Sequence, residues 1–483
     1  MEPVKLKSLI KDLPITLKGS EEVEITGITA NSKQAQPGSL FLAKKGLRHE
    51  GNQFIPEAIA AGAVAVLTDI YDPLLDCIQM IYPDVQHLES VLVNRFYGYP
   101  GEKLFLIGIT GTNGKTTTSY LIKHLLDQEK QTCGLIGTIE WMDGQNSFSS
   151  THTTPDLITL TKLFYGMTTH RCQSAVMEVS SHALDQGRVK DVPFDVGIFT
   201  NLTLDHLDYH KTMENYADAK SKLFTSLSQE GFAIFNTDDH WHTQMIKQCQ
   251  AQKISYGFSE QADIRASHMS QTSEGVQFIV TYKNQSVTVL STLIGRFNIY
   301  NLLAAIGVGI VCHLSLDRVV EHLKSFNRVP GRLERVPNSK GLNIFVDHSH
   351  TDDALRNVLE TLYEFKKGRI ITVFGCGGTR DKSKRPKMAS VAEMFSDFVI
   401  VTSDNPRSEN PEDIIHQIVG GFKSHTQFKA IIDRKEAIQK AILMATPEDI
   451  VLIAGKGHET YQIFSHEIVP FDDRKVAHQA TIC

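Results

Sequence analysis

The feature that most constrains the fold is a repeated alternation of short apolar runs with helix-patterned segments, each run ending in a glycine-rich or polar loop. The clearest unit begins at residue 103, where "KLFLIGIT" leads through "GTNG" into "KTTTSYLIKHLLDQ". In the second part, Leu121 and Leu125 recur at helical spacing on one side. Strands that alternate with helices in this way pair in parallel and are covered by helices on both faces. The chain is therefore predicted to be an α/β protein.

Length and two turn-rich joints divide the chain into three predicted domains. A single core rarely grows beyond about 250–300 residues, and this chain has 483. The joints are "YGYPGEKL" and "RVPGRLERV", and strand–helix alternation restarts after the second one. We predict an N-terminal domain over residues 1–98, a central domain over 99–330 and a doubly wound, Rossmann-like domain over 331–483. Alternating segments between about 262 and 295 predict an antiparallel excursion within the central domain.

Composition excludes several classes of protein. Hydrophobic residues make up 41% and charged residues 22%, which is typical of a soluble globular chain. The net charge of −6 argues against nucleic-acid or membrane-surface partners, which favour a basic face. The cysteines form no CxxC pair, so free thiols are expected. The first residues lack a signal-peptide core, and the run "NLLAAIGVGIVCHL" is too short for a membrane span. A cytoplasmic protein is expected.

The loop "TGTNGKTT" is the strongest functional motif. It departs from the usual phosphate-binding pattern G-x-x-x-x-G-K-[ST], because Ile109 stands where the first glycine should be. A phosphate loop nevertheless needs only glycines that turn backbone N–H groups toward an anion, a lysine for the outer phosphates and a hydroxyl for Mg²⁺, all at a helix N-terminus. The segment meets these needs, so we predict a site for ATP and Mg²⁺. Its candidate residues are Gly111, Thr112, Asn113, Gly114, Lys115, Thr116 and Thr117.

Candidate magnesium ligands follow the neighbouring predicted strands, where open α/β sheets bind their ligands. Glu178 ends "SAVMEVSS", and Asp205 and His206 follow "IFTNLTL". From the residues alone, a strand-end surface acid and a solvated loop remain equally good interpretations. The segment "VFGCGGTRDK" lacks the full G-x-G-x-x-G pattern, so a dinucleotide site is disfavoured.

Several long segments together resemble one family, the ATP-dependent Mur ligases that build the peptidoglycan stem peptide. They occur in the family's order and span nearly the whole chain: "TGTNGKTT", "MEVSSHAL", "FTNLTLDHLDYH", "YADAKSKLF", "GRFNIYNLLAA", "PGRLE", "GCGGTRDKSKRP", "DNPR" and "GKGHET". The nearest members add the third amino acid to UDP-N-acetylmuramoyl-L-alanyl-D-glutamate. The resemblance implies domains for the UDP-linked substrate, for ATP and for the amino acid, in that order. It also implies an acyl-phosphate intermediate and a monomer that acts in cell-wall synthesis, and so in cell shape and division.

The resemblance assigns residues that the pattern alone does not select. Lys220, in "YADAK", matches the family's carbamylated lysine, whereas by itself it reads as an exposed helix residue. The implied catalytic residues are Lys115, Lys220, Glu178 and His206. The implied Mg²⁺ ligands are Thr116, Glu178, His206 and Lys220 as its N6-carboxy form. Further nucleotide contacts are Asn301, Arg332 and Asp347. The contacts to the UDP-linked substrate are Ser32, Thr153, Thr154, Ser180, Gln186 and Arg188.

The segment "DNPR" resembles the family's signature for meso-diaminopimelate, because lysine-adding relatives carry a different tetrapeptide here. Meso-diaminopimelate has a distal carboxylate for Arg407 and a distal ammonium for an acid such as Glu459. Lysine lacks that carboxylate and would leave a buried Arg407 unpaired, which is costly. The implied amino-acid pocket consists of Arg380, Asp404, Asn405, Pro406, Arg407, Gly455 and Glu459.

Alternatives and departures accompany this interpretation. A lysine-adding ligase, folylpolyglutamate synthetase and a protein that hydrolyses ATP without joining substrates remain rival hypotheses. In "VDHSHTDDAL", His348, Ser349 and Asp352 stand where relatives usually have Tyr, Ala and Pro. The nucleotide contact through Asp347 is expected to survive, but the rigidity of the loop is open.

Overall fold

A computed structural model confirms the α/β class and describes residues 2–45, 50–423 and 427–482. The chain divides into two compact units. The first consists of Met1–Gly108 and Gln131–Asp195, and the second of Ile109–Lys130 and Val196–Cys483. The sequence predicts three domains with limits at 98/99 and 330/331. The two compact units do not test those limits, which stay a prediction.

The N-terminal part of the first unit is a twisted sheet covered on both faces. Its strands are β1 (Val4–Lys5), β2 (Thr16–Lys18), β3 (Glu24–Ile25), β4 (Gly27–Thr29), β5 (Ser39–Leu42), β6 (Ala63–Thr68) and β7 (Ile78–Ile81), and its helices α1 (Leu6–Ile10), α2 (Ile55–Ala60) and α3 (Val85–Tyr97). Five of these strands form the main sheet in the order β2-β7-β6-β5-β4, with β4 to β7 parallel, and β1 and β3 pair separately as a two-stranded antiparallel sheet. Successive residues of β5 face opposite sides, so Leu40 packs with α1 and α3, and Phe41 with α2.

The next segments carry the glycine loop and the strands that follow it. They are β8 (Phe105–Thr110), α4 (Lys115–Gln128), β9 (Cys133–Ile136), β10 (Glu140–Met142), β11 (Ser147–Ser149), α5 (Leu157–Thr169), β12 (Ser174–Glu178) and α6 (Ser181–Asp185). Within the first unit, β12 pairs in parallel with β9, and β9, β10 and β11 continue as an antiparallel meander. Glu178 is thus the last residue of a fully buried strand.

The second unit continues with parallel strands and then changes direction. Its elements are β13 (Val196–Phe199), α7 (Leu207–His210), α8 (Met213–Thr225), β14 (Phe232–Asn236), α9 (His242–Ile246), β15 (Gln252–Gly257), β16 (Ile264–Thr272), β17 (Gly275–Tyr282), β18 (Gln285–Ser291), α10 (Arg296–Val311) and α11 (Leu316–Lys324). Strands β13 to β16 pair in parallel, whereas β16, β17 and β18 pair antiparallel. The predicted antiparallel excursion is confirmed.

The C-terminal part of the second unit is doubly wound, as predicted. It contains β19 (Glu334–Arg335), β20 (Asn343–Asp347), α12 (Asp352–Tyr363), β21 (Ile370–Phe374), α13 (Lys384–Phe395), β22 (Phe398–Val401), α14 (Pro411–Val419), β23 (Gln427–Ala430), α15 (Arg434–Met444), β24 (Ile450–Ala454), β25 (Tyr461–Ile463), β26 (Ile468–Pro470) and α16 (Asp473–Ile482). The order is β19-β20-β24-β21-β22-β23, and all but β19 run parallel. Alternate residues of the central strands pack under α12, α13 and α14 on one face and under α15 and α16 on the other.

This topology gathers loops at one edge of the C-terminal sheet. The carboxyl ends of β20, β21, β22 and β24 lead into the segments that contain His348, Gly377, Asn405 and Gly455. Open parallel sheets bind ligands at this edge. The run "NLLAAIGVGIVCHL" lies in α10, which is buried along most of its length, as expected of a core helix. No helix within the described ranges is long and apolar enough to cross a membrane.

Candidate active site

The glycine loop has the backbone of an anion-binding turn. Gly111 and Gly114 have φ angles of +150° and +88°, and Gly114 is the N-cap of α4. A Cβ on Gly114 would lie 2.4 Å from the side-chain oxygen of Asn301, so only glycine fits here. Asn301 is buried on α10, where its oxygen accepts from the Thr118 hydroxyl and its amide donates to Asn298. The predicted nucleotide residue Asn301 therefore supports the loop from beneath.

Two lysines meet at one carbonyl of this loop. Lys115 Nζ lies 2.8 Å from the Gly111 oxygen, and Lys220 Nζ lies 2.9 Å from the same atom. Lys220 is buried on α8 with 1% of its surface exposed, in contrast to the exposed position that the pattern alone indicated. Burial, and then the neighbouring Lys115 charge, lowers the pKa of Lys220 well below its usual value. The site therefore favours a neutral, nucleophilic amine at Lys220.

Aromatic groups surround these lysines. Lys220 Nζ lies 4.7 Å from the centre of the Tyr216 ring, and the Tyr216 hydroxyl is 3.2 Å from the Thr112 hydroxyl. His206 packs edge-on against Tyr216, with ring centres 6.1 Å apart, and has a left-handed backbone at φ +54°. Its Nε2 lies 3.4 Å from an Asp205 oxygen. The structure thus brings His206, Lys220 and the glycine loop into one neighbourhood of the second unit.

The segment that follows "RVPG" is hydrogen-bonded to the first turn of α4, directly after the glycine loop. Arg332 donates from Nη2 to the Thr116 hydroxyl at 3.3 Å, while its buried Nε has no hydrogen-bond partner among the described residues. Asp347, at the end of β20, accepts from the backbone N–H groups of Leu333 and Ser349, both at 2.7 Å. Its carboxylate therefore holds the joint in place, whether or not it also contacts a nucleotide.

The chain's unusual "DHSHTDD" segment forms a histidine cluster beside this joint. The His348 ring lies 4.8 Å from that of His350 and 5.0 Å from that of His458. Burial, and then the Arg332 charge, lowers the pKa of His458 to about 3. Both causes also lower the pKa of His348. We conclude that these two rings are neutral at neutral pH and pack against each other.

Helix α12 connects this segment back to the glycine loop. Asp353, in its first turn, accepts from the Asn113 side-chain amide at 3.3 Å and from the Thr203 hydroxyl at 3.0 Å. The substitution at 352 thus leaves the neighbouring carboxylate in contact with the loop. Asp353 therefore contacts the glycine loop and Thr203 with Asp352 as its neighbour.

In the first unit, a second set of predicted residues forms one hydrogen-bonded network. The Thr154 hydroxyl donates to the Glu178 carbonyl at 2.9 Å and accepts from the Ser180 N–H at 3.0 Å. Arg188 donates to the Thr154 carbonyl at 3.1 Å and, from its other nitrogen, to Gln186 at 2.5 Å. Segments far apart in sequence thus converge on the end of β12.

Thr138 belongs to this network and was not predicted. Its N–H and hydroxyl donate to the two carboxylate oxygens of Glu178 at 2.8 and 2.9 Å, and its hydroxyl lies 3.1 Å from that of Thr153. A Cβ on Gly137 would lie 2.5 Å from a Glu178 oxygen. The signal that could have identified it is the Gly-Thr pair directly after the buried strand β9.

Ser32 is the predicted substrate residue that this network does not include. It lies in a 3-10 turn after β4, and its hydroxyl donates to Glu57 at 2.6 Å. Its role therefore stays a prediction.

The segment "DNPR" lies at the carboxyl end of β22 and forms a polar pocket with "GKGHE". The Asn405 amide donates to Glu459 at 2.8 Å, and its oxygen accepts from the Lys456 ammonium at 2.9 Å. Lys456, which is fully buried and was not predicted, also donates to Glu459 at 2.8 Å. A Cβ on Gly455 would lie 2.7 Å from an Asp404 oxygen. Four of the predicted pocket residues, Asp404, Asn405, Gly455 and Glu459, thus meet here, with Pro406 and Arg407 following Asn405 in the chain.

Arg407 has an unusual backbone that the surrounding structure fixes. Its φ is +53°, a conformation that costs a non-glycine residue roughly 1–2 kcal/mol. Its N–H donates to the Ile463 carbonyl at 2.9 Å, and its guanidinium donates to the Gly378 carbonyl at 2.9 Å. Arg380 lies in the same loop as Gly378 and is exposed. The structure places both arginines at one rim of the pocket.

His, Cys, Asp and Glu side chains are the usual ligands of metal ions in proteins. Across the described residues, no group of three or more His, Cys, Asp or Glu side chains gathers in a metal-binding arrangement. The six cysteines within those ranges are free thiols, as expected, while Cys483 lies outside them. The predicted Mg²⁺ ligands differ from such a group, because they include the Thr116 hydroxyl and Lys220, which can bind a metal only in its N6-carboxy form.

Comparisons with known proteins place the chain in a family. Three family models match: the Mur ligase middle domain over residues 109–309, the Mur ligase, glutamate ligase domain over 331–457 and the Mur ligase family, catalytic domain over 24–91. UDP-N-acetylmuramoyl-L-alanyl-D-glutamate--2,6-diaminopimelate ligase of Bacillus cereus is 44% identical over 98% of this chain and 97% of its own length. The chain belongs to the Mur ligase family. The resemblance inferred from the motifs is confirmed.

Other Mur ligases match over the same length. The enzyme of the same name from Chlamydia abortus is 45% identical and covers 98% of both chains. A solved structure of UDP-N-acetylmuramoyl-L-alanyl-D-glutamate--2,6-diaminopimelate ligase covers 100% of this chain and 99% of its own, at 32% identity and a TM-score of 0.71. MurF from Acinetobacter baumannii, at 18% identity and a TM-score of 0.69, shares the fold.

Proposed function

We propose that this protein is the Mur ligase that adds meso-diaminopimelate to UDP-N-acetylmuramoyl-L-alanyl-D-glutamate, with ATP as the energy source. The observation that carries the proposal is full-length identity of 44–45% to relatives that bear this name. In the reaction, ATP phosphorylates the D-glutamyl carboxylate. The amine then attacks the acyl carbon, the C–N bond forms and phosphate leaves with the electrons of the C–O bond.

The glycine loop and Lys115 would hold the phosphates of ATP. The φ angles of Gly111 and Gly114 and the start of α4 support this role, because a helix N-terminus presents N–H groups to an anion. A cation near the transferred phosphoryl group stabilises the charge that develops in the transition state. The solved Mur ligase MurF from Thermotoga maritima is a complex with ADP. Asn301, Arg332 and Asp347 remain predicted nucleotide contacts.

Mg²⁺ is proposed as the metal, with Thr116, His206 and carbamylated Lys220 as ligands in the second unit. The observation that supports this is the depressed pKa of the buried Lys220 amine, since only a neutral amine adds CO₂ to give an anionic oxygen donor. When bound, Mg²⁺ would neutralise phosphate charge during transfer. Glu178 remains a predicted ligand because of the family resemblance. Two hydrogen bonds from Thr138 fix the orientation of its carboxylate.

The network around Thr154 would bind the UDP-linked dipeptide. Arg188 suits an acidic substrate group, because a guanidinium can donate two parallel hydrogen bonds to a carboxylate or phosphate. Its contacts with Gln186 and Thr154 fix its direction before any substrate arrives. Thr153 and Ser180 complete this proposed substrate surface, and Ser32 is proposed to contact the uridine.

Arg407 and Glu459 would select the amino acid. The distal carboxylate of meso-diaminopimelate is proposed to pair with Arg407, and its distal ammonium with Glu459. The buried network of Asn405 and Lys456 supports this role, because it fixes the position of the Glu459 carboxylate. Lysine would offer no carboxylate to the half-buried Arg407 guanidinium and would leave it only the backbone carbonyls of Gly378 and Asn405, which disfavours lysine.

The cellular setting follows from this chemistry. A ligase that consumes ATP and a UDP-linked sugar is proposed to act in the cytoplasm as a monomer with small-molecule substrates. It would supply peptidoglycan precursors, and so contribute to cell shape and division. Neither a nucleic acid nor a membrane is proposed as a partner.

Phosphate release with omission of each substrate tests the proposal. The expected result is phosphate release that requires ATP, Mg²⁺, UDP-N-acetylmuramoyl-L-alanyl-D-glutamate and meso-diaminopimelate together, with one tripeptide formed per phosphate. Phosphate release without the amino acid, and without a joined product, would instead favour the rival ATP-hydrolysing function. Product formation with a folate substrate would favour folylpolyglutamate synthetase.

A further inference from the structure

A fully buried arginine stands behind the amino-acid pocket and takes no part in the roles assigned above. Arg385, on α13, has 0% of its surface exposed. It donates from both terminal nitrogens to the carboxylate of Glu409, at 3.0 and 3.1 Å. It donates further to Gln417 at 2.7 Å and to the Gly377 carbonyl at 3.2 Å. Taking the Arg385 charge out of water is expensive, and an apolar residue of similar volume often stabilises a fold as well, so stability alone does not explain this ion pair.

The Arg385–Glu409 pair holds one particular loop. Glu409 accepts a hydrogen bond from the Thr379 N–H. Arg385 donates to the carbonyl of Gly377, two residues before Thr379. Thr379 has a left-handed backbone at φ +53°, so the loop stays in this shape only while such contacts fix it. The hydrogen bond from Arg385, and then the one from the Thr379 N–H, lowers the pKa of Glu409 to about 2. Glu409 is therefore a charged acceptor at all ordinary pH values.

The opposite side of the same loop carries Arg407. The guanidinium of Arg407 donates to the carbonyl of Gly378, the residue between the two held positions. A Cβ on Gly377 would lie 2.9 Å from the Arg407 Nη1, and one on Gly378 would lie 1.9 Å from the Pro406 carbonyl oxygen. The loop and the "DNPR" segment thus touch backbone to backbone. A small shift of the loop would move the Arg407 guanidinium with it.

We infer that Arg385 and Glu409 are positioning residues that fix the direction of Arg407 and thereby set the selectivity of the pocket for an amino acid with a distal carboxylate. The inference rests on the proposed function. A planar, bidentate Arg385 suits this task, because lysine at this position could not bond both carboxylate oxygens and the Gly377 carbonyl in one plane.

Steady-state kinetics of Glu409→Gln and Arg385→Lys test this role. Glu409→Gln keeps the side-chain shape but removes the charge that Arg385 and Thr379 bind. We expect the KM for meso-diaminopimelate to rise about 10-fold or more, because a misdirected Arg407 weakens binding of the distal carboxylate. The KM values for ATP and the UDP-linked dipeptide should stay within about twofold, since a contact that only one substrate uses changes only that substrate's binding. The preference for diaminopimelate over lysine should fall in parallel.

Lys382→Ala is the matched control. Lys382 also pairs with Glu409, at 3.4 Å, but 61% of its side chain is exposed and it does not touch the loop carbonyls. An exposed pair contributes little, so this variant should keep wild-type kinetics. Thermal unfolding of each variant shows whether it folds. A change at the buried Arg385 can prevent folding. Glu409 is partly solvated, so Glu409→Gln is expected to fold and provides the test of the inference.

Three results would bear on the inference in different ways. An unchanged KM for meso-diaminopimelate in folded Glu409→Gln overturns it. Equal increases in the KM for all three substrates also overturn it, because they indicate a general structural role. A selective increase supports it. If the wild-type enzyme itself forms no product with diaminopimelate, the proposed function fails, and that failure is seen before any variant is compared.

Discussion

Burial changes the chemistry of Lys220. Burial and the adjacent Lys115 lower its pKa, so at neutral pH more of the amine is neutral and able to add CO₂. We predict a carbamate resonance in ¹³C NMR of the wild-type protein with ¹³C-bicarbonate, absent in Lys220→Arg. That variant should also lose about 100-fold in kcat, the loss typical of removing one charge-stabilising group.

Lys253→Arg, at an exposed lysine, is the control for this experiment and should retain both signal and activity. A wild-type protein without the resonance, or a Lys220→Arg variant with full kcat, would contradict the proposed role of Lys220.

His458 gives the stability of the fold a defined acid dependence. Its pKa falls from a usual value of 6.5 to about 3 on folding, so between these values the unfolded chain binds the extra proton. The stabilising contribution is fully present above pH 6.5 and is lost as the pH falls through this window. The slope from one such proton is at most about 1.4 kcal/mol per pH unit.

His458→Gln should therefore flatten the decline of the unfolding free energy between pH 6.5 and pH 4, measured by urea denaturation. His268→Gln, at an exposed histidine, should leave the slope unchanged. An identical slope in wild type and His458→Gln would show that the ring is already solvated in the folded state.

At the scale of elements, the start of α4 depends on Gly114. The residue combines a left-handed φ of +88° with a space in which a Cβ would meet Asn301 at 2.4 Å. Gly114→Ala should raise the KM for ATP by about 10-fold or more, because the clash displaces the loop that faces the phosphates. ATP titration of phosphate release measures this effect.

Gly341→Ala separates strain from the clash. Gly341 has a similar φ of +68°, but a Cβ there would meet nothing within 4 Å. This variant should cost roughly 1 kcal/mol of stability and leave the KM for ATP unchanged. Equal KM values in Gly114→Ala and the wild type would mean that Asn301 yields without moving the loop.

The elements themselves were largely predictable. The segment "KTTTSYLIKHLLDQ" forms α4 from Lys115 to Gln128, and the antiparallel strands β17 and β18 fall where alternation indicated them. The spacing of apolar residues predicts such helices and strands because each of them buries one or both of its faces, and the residues on one face recur at a fixed interval along the chain. The contact of Gly114 with Asn301 could not be predicted from periodicity, because it joins residues 187 positions apart.

At the scale of the whole molecule, the fold class and the C-terminal doubly wound sheet followed from the sequence, while the hydrogen-bond networks did not. Thr138, Lys456 and Arg385 look like ordinary polar residues along the chain. Only the folded structure brings them into hydrogen-bond contact with Glu178, Glu459 and Glu409. Such roles depend on long-range pairing, which local spacing does not encode.

Competition between two amino acids in one reaction tests the central claim most directly. Purified enzyme would receive ATP, Mg²⁺, UDP-N-acetylmuramoyl-L-alanyl-D-glutamate and equal concentrations of meso-diaminopimelate and L-lysine, and mass spectrometry would compare the two tripeptide products. Their ratio equals the ratio of kcat/KM values, which is the measure of selectivity. We predict that the diaminopimelate product predominates by about 100-fold or more, because lysine has no distal carboxylate for the half-buried Arg407 guanidinium. Equal products, or an excess of the lysine product, would contradict the assignment of Arg407 and Glu459.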